Sequence, residues 1–254
     1  MFGHRAPPAD WQAIVAARVA HWSLLDDSER ERLGADIEWL LRKKHWEVAS
    51  GFDDFELTDE ICVTVAAQAA LLILGLDRSH YDDVGAVVVW PTTIVRTRAA
   101  YDELSGEFEQ VAEPLLGEAS GRRGPVHIAW DEAVENARHP ELGLNVVFHE
   151  FAHKIDLADG MVDGTPRMLR RTDVEDWVHA CRPVYEAMQA GVDRPPLRDY
   201  GATNVGEFFA VATEAFFDVP IDLERNEQTL YNALRDFYNQ DPAERVRRRP
   251  LTAR

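Results

Sequence analysis

His149, Glu150 and His153 form an H-E-x-x-H motif within Asn145-Val146-Val147-Phe148-His149-Glu150-Phe151-Ala152-His153-Lys154-Ile155-Asp156. On a helix the two histidines lie about 40° and one turn apart. Both imidazoles can then bind one metal ion at about 2.0–2.1 Å. Glu150 flanks the pair, about 60° from His153 and about 100° from His149. Its carboxylate can reach a water on that metal without being a ligand, the arrangement for metal-assisted hydrolysis. The plain alternative is a surface helix with two solvated histidines. Against it, Leu144, Val147, Phe148, Phe151 and Ile155 form an apolar stripe on the other side, so the helix is docked. Its polar side carries Asn145, His149, His153 and Asp156 in a row in place of a Lys/Glu mixture.

A catalytic zinc takes three protein ligands and keeps one open position. The motif helix supplies two. Downstream, Asn204 is a good N-cap, and on the helix that follows Glu207, Val211 and Glu214 share one face. Glu207 and Glu214 are both candidates for the third ligand. Glu207 is equally a capping-box partner of Asn204, and Glu214 equally an ordinary surface glutamate. Asp156, one turn beyond His153, is a candidate to orient a ligand histidine through its other ring nitrogen, or else a charge near a helix end.

The rest of the chain supplies the frame. Apolar spacing predicts helices over 9–24, from an Asp26-Asp27-Ser28 cap through Leu41, and from Thr58 to about Leu74, stopped by Gly75. Trp11, Trp22, Trp39 and Trp46 read as aromatic core. Gly85 to Val89 reads as a buried strand ended by Trp90-Pro91, with a further short strand over 92–97. Residues 101–123 read as a long glycine-punctuated loop containing a hairpin. Pro125 to Trp130 is a strand and 131–138 a short helix; His127 reads as a sheet residue and His139 as an exposed turn residue. Thr172 or Asp173 caps a helix through Met188, another helix covers about 226–238, and the arginine-rich end from Arg245 to Arg254 reads as a disordered, solvated tail.

The 254 residues are 46% apolar and 28% charged, an ordinary globular composition. Asp and Glu number 45 against 27 Lys and Arg, a formal charge of −18 that argues against direct nucleic-acid backbone binding. Cys62 and Cys181 are too far apart in the chain for a CxxC site and are expected as reduced, buried thiols. The stretch Met1 to Gln12 shows no apolar signal region, and the apolar run Val63 to Leu76 is too short to span a bilayer. The expectation is a cytoplasmic protein with no membrane partner.

The motif run, followed by Asp163-Gly164-Thr165-Pro166 and by Tyr200-Gly201-Ala202-Thr203-Asn204 leading into Glu207-Phe208-Phe209-Ala210-Val211, resembles the Mlc titration factor A (MtfA) family of bacterial zinc peptidases. Gly124-Pro125-Val126 to Trp130 and Val87 to Pro91 also fit it, so the likeness runs from the N-terminal helices to about Phe217. The second block is similar as well to the catalytic domain of anthrax lethal factor. The resemblance implies a zincin-like α+β fold, mostly helical with a small sheet. The chain reads as one domain over 1–254: helices of 1–80 packed on a catalytic core of 81–240, then a basic tail 241–254. The resemblance implies one Zn²⁺ per chain held by His149, His153 and Glu207, with Glu150 as general base and Tyr200 stabilising the transition state. It further implies aminopeptidase-type activity on peptide substrates and a link to sugar-uptake regulation through a Mlc-like transcriptional repressor. The competing class is a non-catalytic module that sequesters a transcription regulator around a vestigial or structural zinc site. A purely structural site, however, has no use for Glu150 and calls for a fourth protein ligand.

Overall fold

Three short strands, each carried in from a different part of the chain, lie side by side in parallel beneath the motif helix. They are β1 (His45–Val48), β2 (Ala86–Trp90) and β5 (Val126–Ala129), in the order β1-β2-β5. A computed structural model describes residues 5–93, 95–101, 108–114, 124–161, 163–168 and 171–249. Between β2 and β5 in the chain, β3 (Val95–Tyr101) and β4 (Phe108–Pro114) pair antiparallel, so the loop expected over 101–123 is strand at 101 and 108–114; residues 102–107 and 115–123 fall outside the described residues. Strand β1 is absent from the sequence reading because four residues with a charge among them carry little period-two signal. Trp46 within it is core, as expected, with its indole N–H donating to the Leu40 carbonyl at 3.3 Å.

Helices cover the sheet, giving an α+β, zincin-like fold that is mostly helical. The first 80 residues supply α1 (Trp11–Arg18), followed by a 3-10 turn Ala20–Leu24, then α2 (Asp27–Lys43) and α3 (Asp59–Leu72). Asp26 and Glu29 close a reciprocal capping box on α2. Helix α3 is buried on every side from Ile61 to Leu72 and packs between α2 and the motif helix, which is why its sequence is apolar all round. After β5 come α4 (Trp130–Arg138) and the motif helix α5 (Val146–Asp156). Then follow α6 (Arg171–Gln189), α7 (Val205–Asp218), α8 (Pro220–Asn226), α9 (Gln228–Tyr238) and α10 (Pro242–Arg248). Among the described residues no helix is long and apolar enough to cross a membrane. Cys62 and Cys181 are free and buried, and burial pushes both thiols up to about 12.

The basic end corrects an expectation. Residues 242–248 are not a solvated tail but helix α10, capped by Asp241. Arg245 is 6% exposed, with Nε and Nη2 on Oε1 of Glu29 at 2.9 and 2.8 Å and Nη1 on Gln240 Oε1 at 3.0 Å. A buried carboxylate from α2 neutralises the guanidinium and so docks a segment whose composition alone suggests solvation. Residues 250–254 lie outside the described residues.

Candidate metal centre

Helix α5 is fixed from behind and at both ends. Val147, Phe148, Phe151 and Ile155 are fully buried against α3, α7 and β5. Leu144, expected on this face, lies just before the helix and is 37% exposed. Asn145 caps the helix, its Oδ1 accepting the Phe148 N–H at 3.0 Å. At the other end Asp156 is fully buried and its Oδ2 accepts the Gly164 N–H at 3.1 Å. Asp156 therefore ties down the following loop. Lys154 Nζ donates to the Gly124 carbonyl at 2.9 Å, drawing the start of β5 alongside the helix.

The exposed side presents His149 and His153, ring centroids 4.8 Å apart and nearly perpendicular at 84°. Their Nε2 atoms are 3.2 Å apart. Glu207, in the first turn of α7, brings Oε2 to 3.0 Å from His149 Nε2 and 3.4 Å from His153 Nε2. The three ligand atoms lie within 4.8 Å of one another. Asn204 does cap α7, its Oδ1 accepting the Glu207 N–H at 3.0 Å. Glu207's carboxylate, however, points to the histidines and does not return to the cap.

The other sequence candidate meets the same imidazole from the far side. Glu214 Oε1 is 2.8 Å from His149 Nδ1, and Oε2 accepts the Asn145 N–H at 2.7 Å. Arg198 Nη2 donates to the same Oε1. Sequence reasoning did not single out Arg198; its position two residues before Tyr200 is the one signal that was available. Tyr200 sits in a 3-10 turn, Asp199–Ala202, 48% exposed, with its ring 6.0 Å from that of His149 and its hydroxyl against Glu207. His127 is a sheet residue on β5, its Nδ1 accepting from Trp90 Nε1 at 3.1 Å. His139 packs its Nδ1 at 2.9 Å from Glu141 on the surface.

The charges explain why such a cluster asks for a cation. A carboxylate at Nδ1 makes His149 the donor there, so the neutral ring offers its lone pair from Nε2. That lone pair faces another imidazole nitrogen and Oε2 of Glu207, a buried oxygen without a hydrogen-bond partner among the described residues. Three electron pairs converging on one point repel unless a positive charge, a proton or a metal ion in its place, sits among them. Burial pushes the His149 imidazole down, but Glu207 and Glu214 outweigh it and lift it to about 10. Burial acts upward on Glu207, yet the two imidazoles hold its carboxyl well below the usual carboxylate range. Glu150 is driven up to about 8 by burial, opposed by the His149 charge. Burial, then the Glu207 and Glu150 charges, raise the Tyr200 phenol. Two nitrogens and one carboxylate oxygen make a donor set that could hold a metal ion.

Residues 2–239 match the model of the glucose-regulated metallo-peptidase M90 family. An uncharacterized protein of Synechocystis is 35% identical over 242 residues, covering 94% of this chain and 86% of that protein. The Mlc titration factor A of Serratia proteamaculans is 28% identical over 248 residues, covering 94% and 90% of the two chains. That of Yersinia pestis is 29% identical over 234 residues, covering 88% and 82%.

Proposed function

Because the chain belongs to the glucose-regulated metallo-peptidase M90 family, we propose that it is a zinc peptidase in which His149, His153 and Glu207 hold one Zn²⁺ and Glu150 and Tyr200 act on the substrate. The observation that carries the assignment is the convergence of two Nε2 atoms and one unpartnered carboxylate oxygen on a single point. Bound there, zinc supplies a Lewis acid that polarises a carbonyl and lowers the pKa of a water towards about 7.

The chain's own groups do the rest. Glu150, half-buried beside the cluster, takes a proton from the attacking water as general base. It passes that proton to the leaving nitrogen as the C–N bond breaks, so water is divided between the new acid and the new amine. The Tyr200 hydroxyl donates to the oxygen of the tetrahedral carbon, an interaction that strengthens as charge develops. Strand β5 is an outer strand, paired on one side with β2 among the described residues, and its other edge could take an extended peptide by β-addition.

Finer parts of the reading rest on the family. Aminopeptidase-type cleavage of small substrates is one. The relatives' name, Mlc titration factor A, favours a Mlc-like repressor as a second partner, which would place the protein in the cytoplasm and connect it to sugar uptake. A peptide-library cleavage assay on the wild type and Glu150→Gln tests the chemistry. The variant is expected to keep its metal and fold and to lose at least about a hundredfold in rate. Hydrolysis near the wild-type rate would remove Glu150 from its role. Free and N-acetylated peptides compared in the same assay test the aminopeptidase preference, and titration of a purified Mlc-like repressor tests the partner.

A further inference from the structure

Glu214 is 1% exposed, and both its oxygens are used. Oε1 receives His149 Nδ1 and Arg198 Nη2, and Oε2 receives the backbone N–H of Asn145, the cap of α5. We propose that Glu214 is the positioning residue of the metal centre, fixing His149 with its proton on Nδ1 and its lone pair on Nε2, and that Arg198 joins this carboxylate to the turn that presents Tyr200.

The chemistry follows from what each group can give. An ionised carboxylate only accepts, so the imidazole facing it must donate from Nδ1. That settles the tautomer and the rotation of the ring, and aims Nε2 at the point where His153 and Glu207 converge. The hold on the Asn145 amide makes the same oxygen pair set the start of the helix on which His149 sits one turn later. A buried carboxylate with no positive neighbour is costly, and Arg198 supplies that neighbour. Arg198 is also the residue from which the turn Asp199–Ala202 begins, and its backbone carbonyl accepts the Gly201 N–H at 3.0 Å. One carboxylate thus spans the metal histidine, the helix start and the Tyr200 turn. A salt bridge serving stability alone would leave the tautomer of His149 and the metal affinity untouched.

This inference rests on the zinc-peptidase reading, and the experiment separates the two. Zinc affinity is measured by chelator competition on full-length wild type, Glu214→Gln, Glu214→Ala and Arg198→Gln. The visible spectra of the cobalt-substituted proteins are recorded alongside. Both Glu214 variants are expected to bind zinc about 10–100-fold more weakly, with a shifted cobalt spectrum. Arg198→Gln is expected to lose less affinity than either, and to lower kcat with KM nearly unchanged, because the Tyr200 turn loses its anchor. Long-range proton–nitrogen spectra of the zinc-loaded wild type are expected to show His149 protonated at Nδ1, a result that does not depend on any variant folding. Stoichiometric zinc in the wild type, together with unchanged affinity and cobalt spectrum in folded Glu214→Gln, would overturn the positioning role alone. So would a proton on Nε2 of His149. A wild type that takes up no zinc would overturn the zinc reading and this inference with it.

Discussion

Glu207 and Glu214 stand on one face of α7 and meet opposite nitrogens of the same imidazole: Glu207 Oε2 is 3.0 Å from His149 Nε2, and Glu214 Oε1 is 2.8 Å from His149 Nδ1. A spacing of seven residues returns both carboxylates to nearly the same side of a helix. Crossing α5 at His149, that side brings one glutamate to Nε2, beside His153, and the other to Nδ1. The centre is therefore made by two helices packed face to face, and what disturbs their packing or the loop between them should be felt at the cluster.

Tyr200 tests the transition-state part of the account. Tyr200→Phe deletes one hydroxyl beside Glu207 and leaves the three ligands in place. Zinc content and KM should stay near wild type while kcat falls about 10²–10³-fold, the size seen for one oxyanion donor. Steady-state kinetics on a cleaved peptide decide it: an unchanged kcat removes Tyr200 from the mechanism.

Gly164 tests the link between the helices. Its φ is +69°, and a Cβ there would stand 2.5 Å from the Val205 carbonyl oxygen at the start of α7, while its N–H is held by Asp156 at the end of α5. Gly164→Ala should cost roughly 1–3 kcal/mol in urea unfolding, because both the left-handed backbone and the close approach are lost. A variant as stable as wild type would show that the loop adapts freely.

Not all of this could be read from the chain. His149 and His153 are legible because a spacing of four on an amphipathic helix is local information. The choice between Glu207 and Glu214 is not, since their shared face says nothing of how α7 crosses α5; the family resemblance named Glu207, and the role at His149 Nδ1 became visible only in three dimensions. Arg198 has no local signal beyond its place two residues before Tyr200. The strand His45–Val48 is too short to show a period, and its place in the sheet is set by pairing with β2. The docking of Arg245 depends on Glu29, 216 positions away, which no window along the sequence can contain.

That docking gives a third prediction. Arg245 and Glu29 are paired with side chains 7% and 11% exposed. Arg245→Ala leaves a carboxylate buried without its cation and should cost about 3–5 kcal/mol. Denaturant titration measures it, and a change below about 0.5 kcal/mol, typical of an exposed residue, would mean that α10 is not held by this pair.

Asp218 gives a pH dependence. It is buried with Oδ1 3.2 Å from His21 Nε2, and burial raises its carboxyl from 3.8 to about 7. Between those values the folded protein keeps a proton that the unfolded chain releases. Its contribution therefore lowers stability as pH rises from about 4 to about 7, with a slope of at most about 1.4 kcal/mol per pH unit. Asp218→Asn cannot ionise, so the stability of wild type relative to this variant should fall across that window. A difference independent of pH, or one that grows with pH, would show that Asp218 is ionised in the folded state.

His149, His153 and Glu207 are proposed to meet at one metal. Elemental analysis of zinc in purified wild type, His153→Ala and Glu207→Ala, each confirmed as folded, tests that most directly. About one zinc per chain is expected in the wild type, with none retained by either variant after dialysis. Full zinc in folded Glu207→Ala or His153→Ala would contradict it.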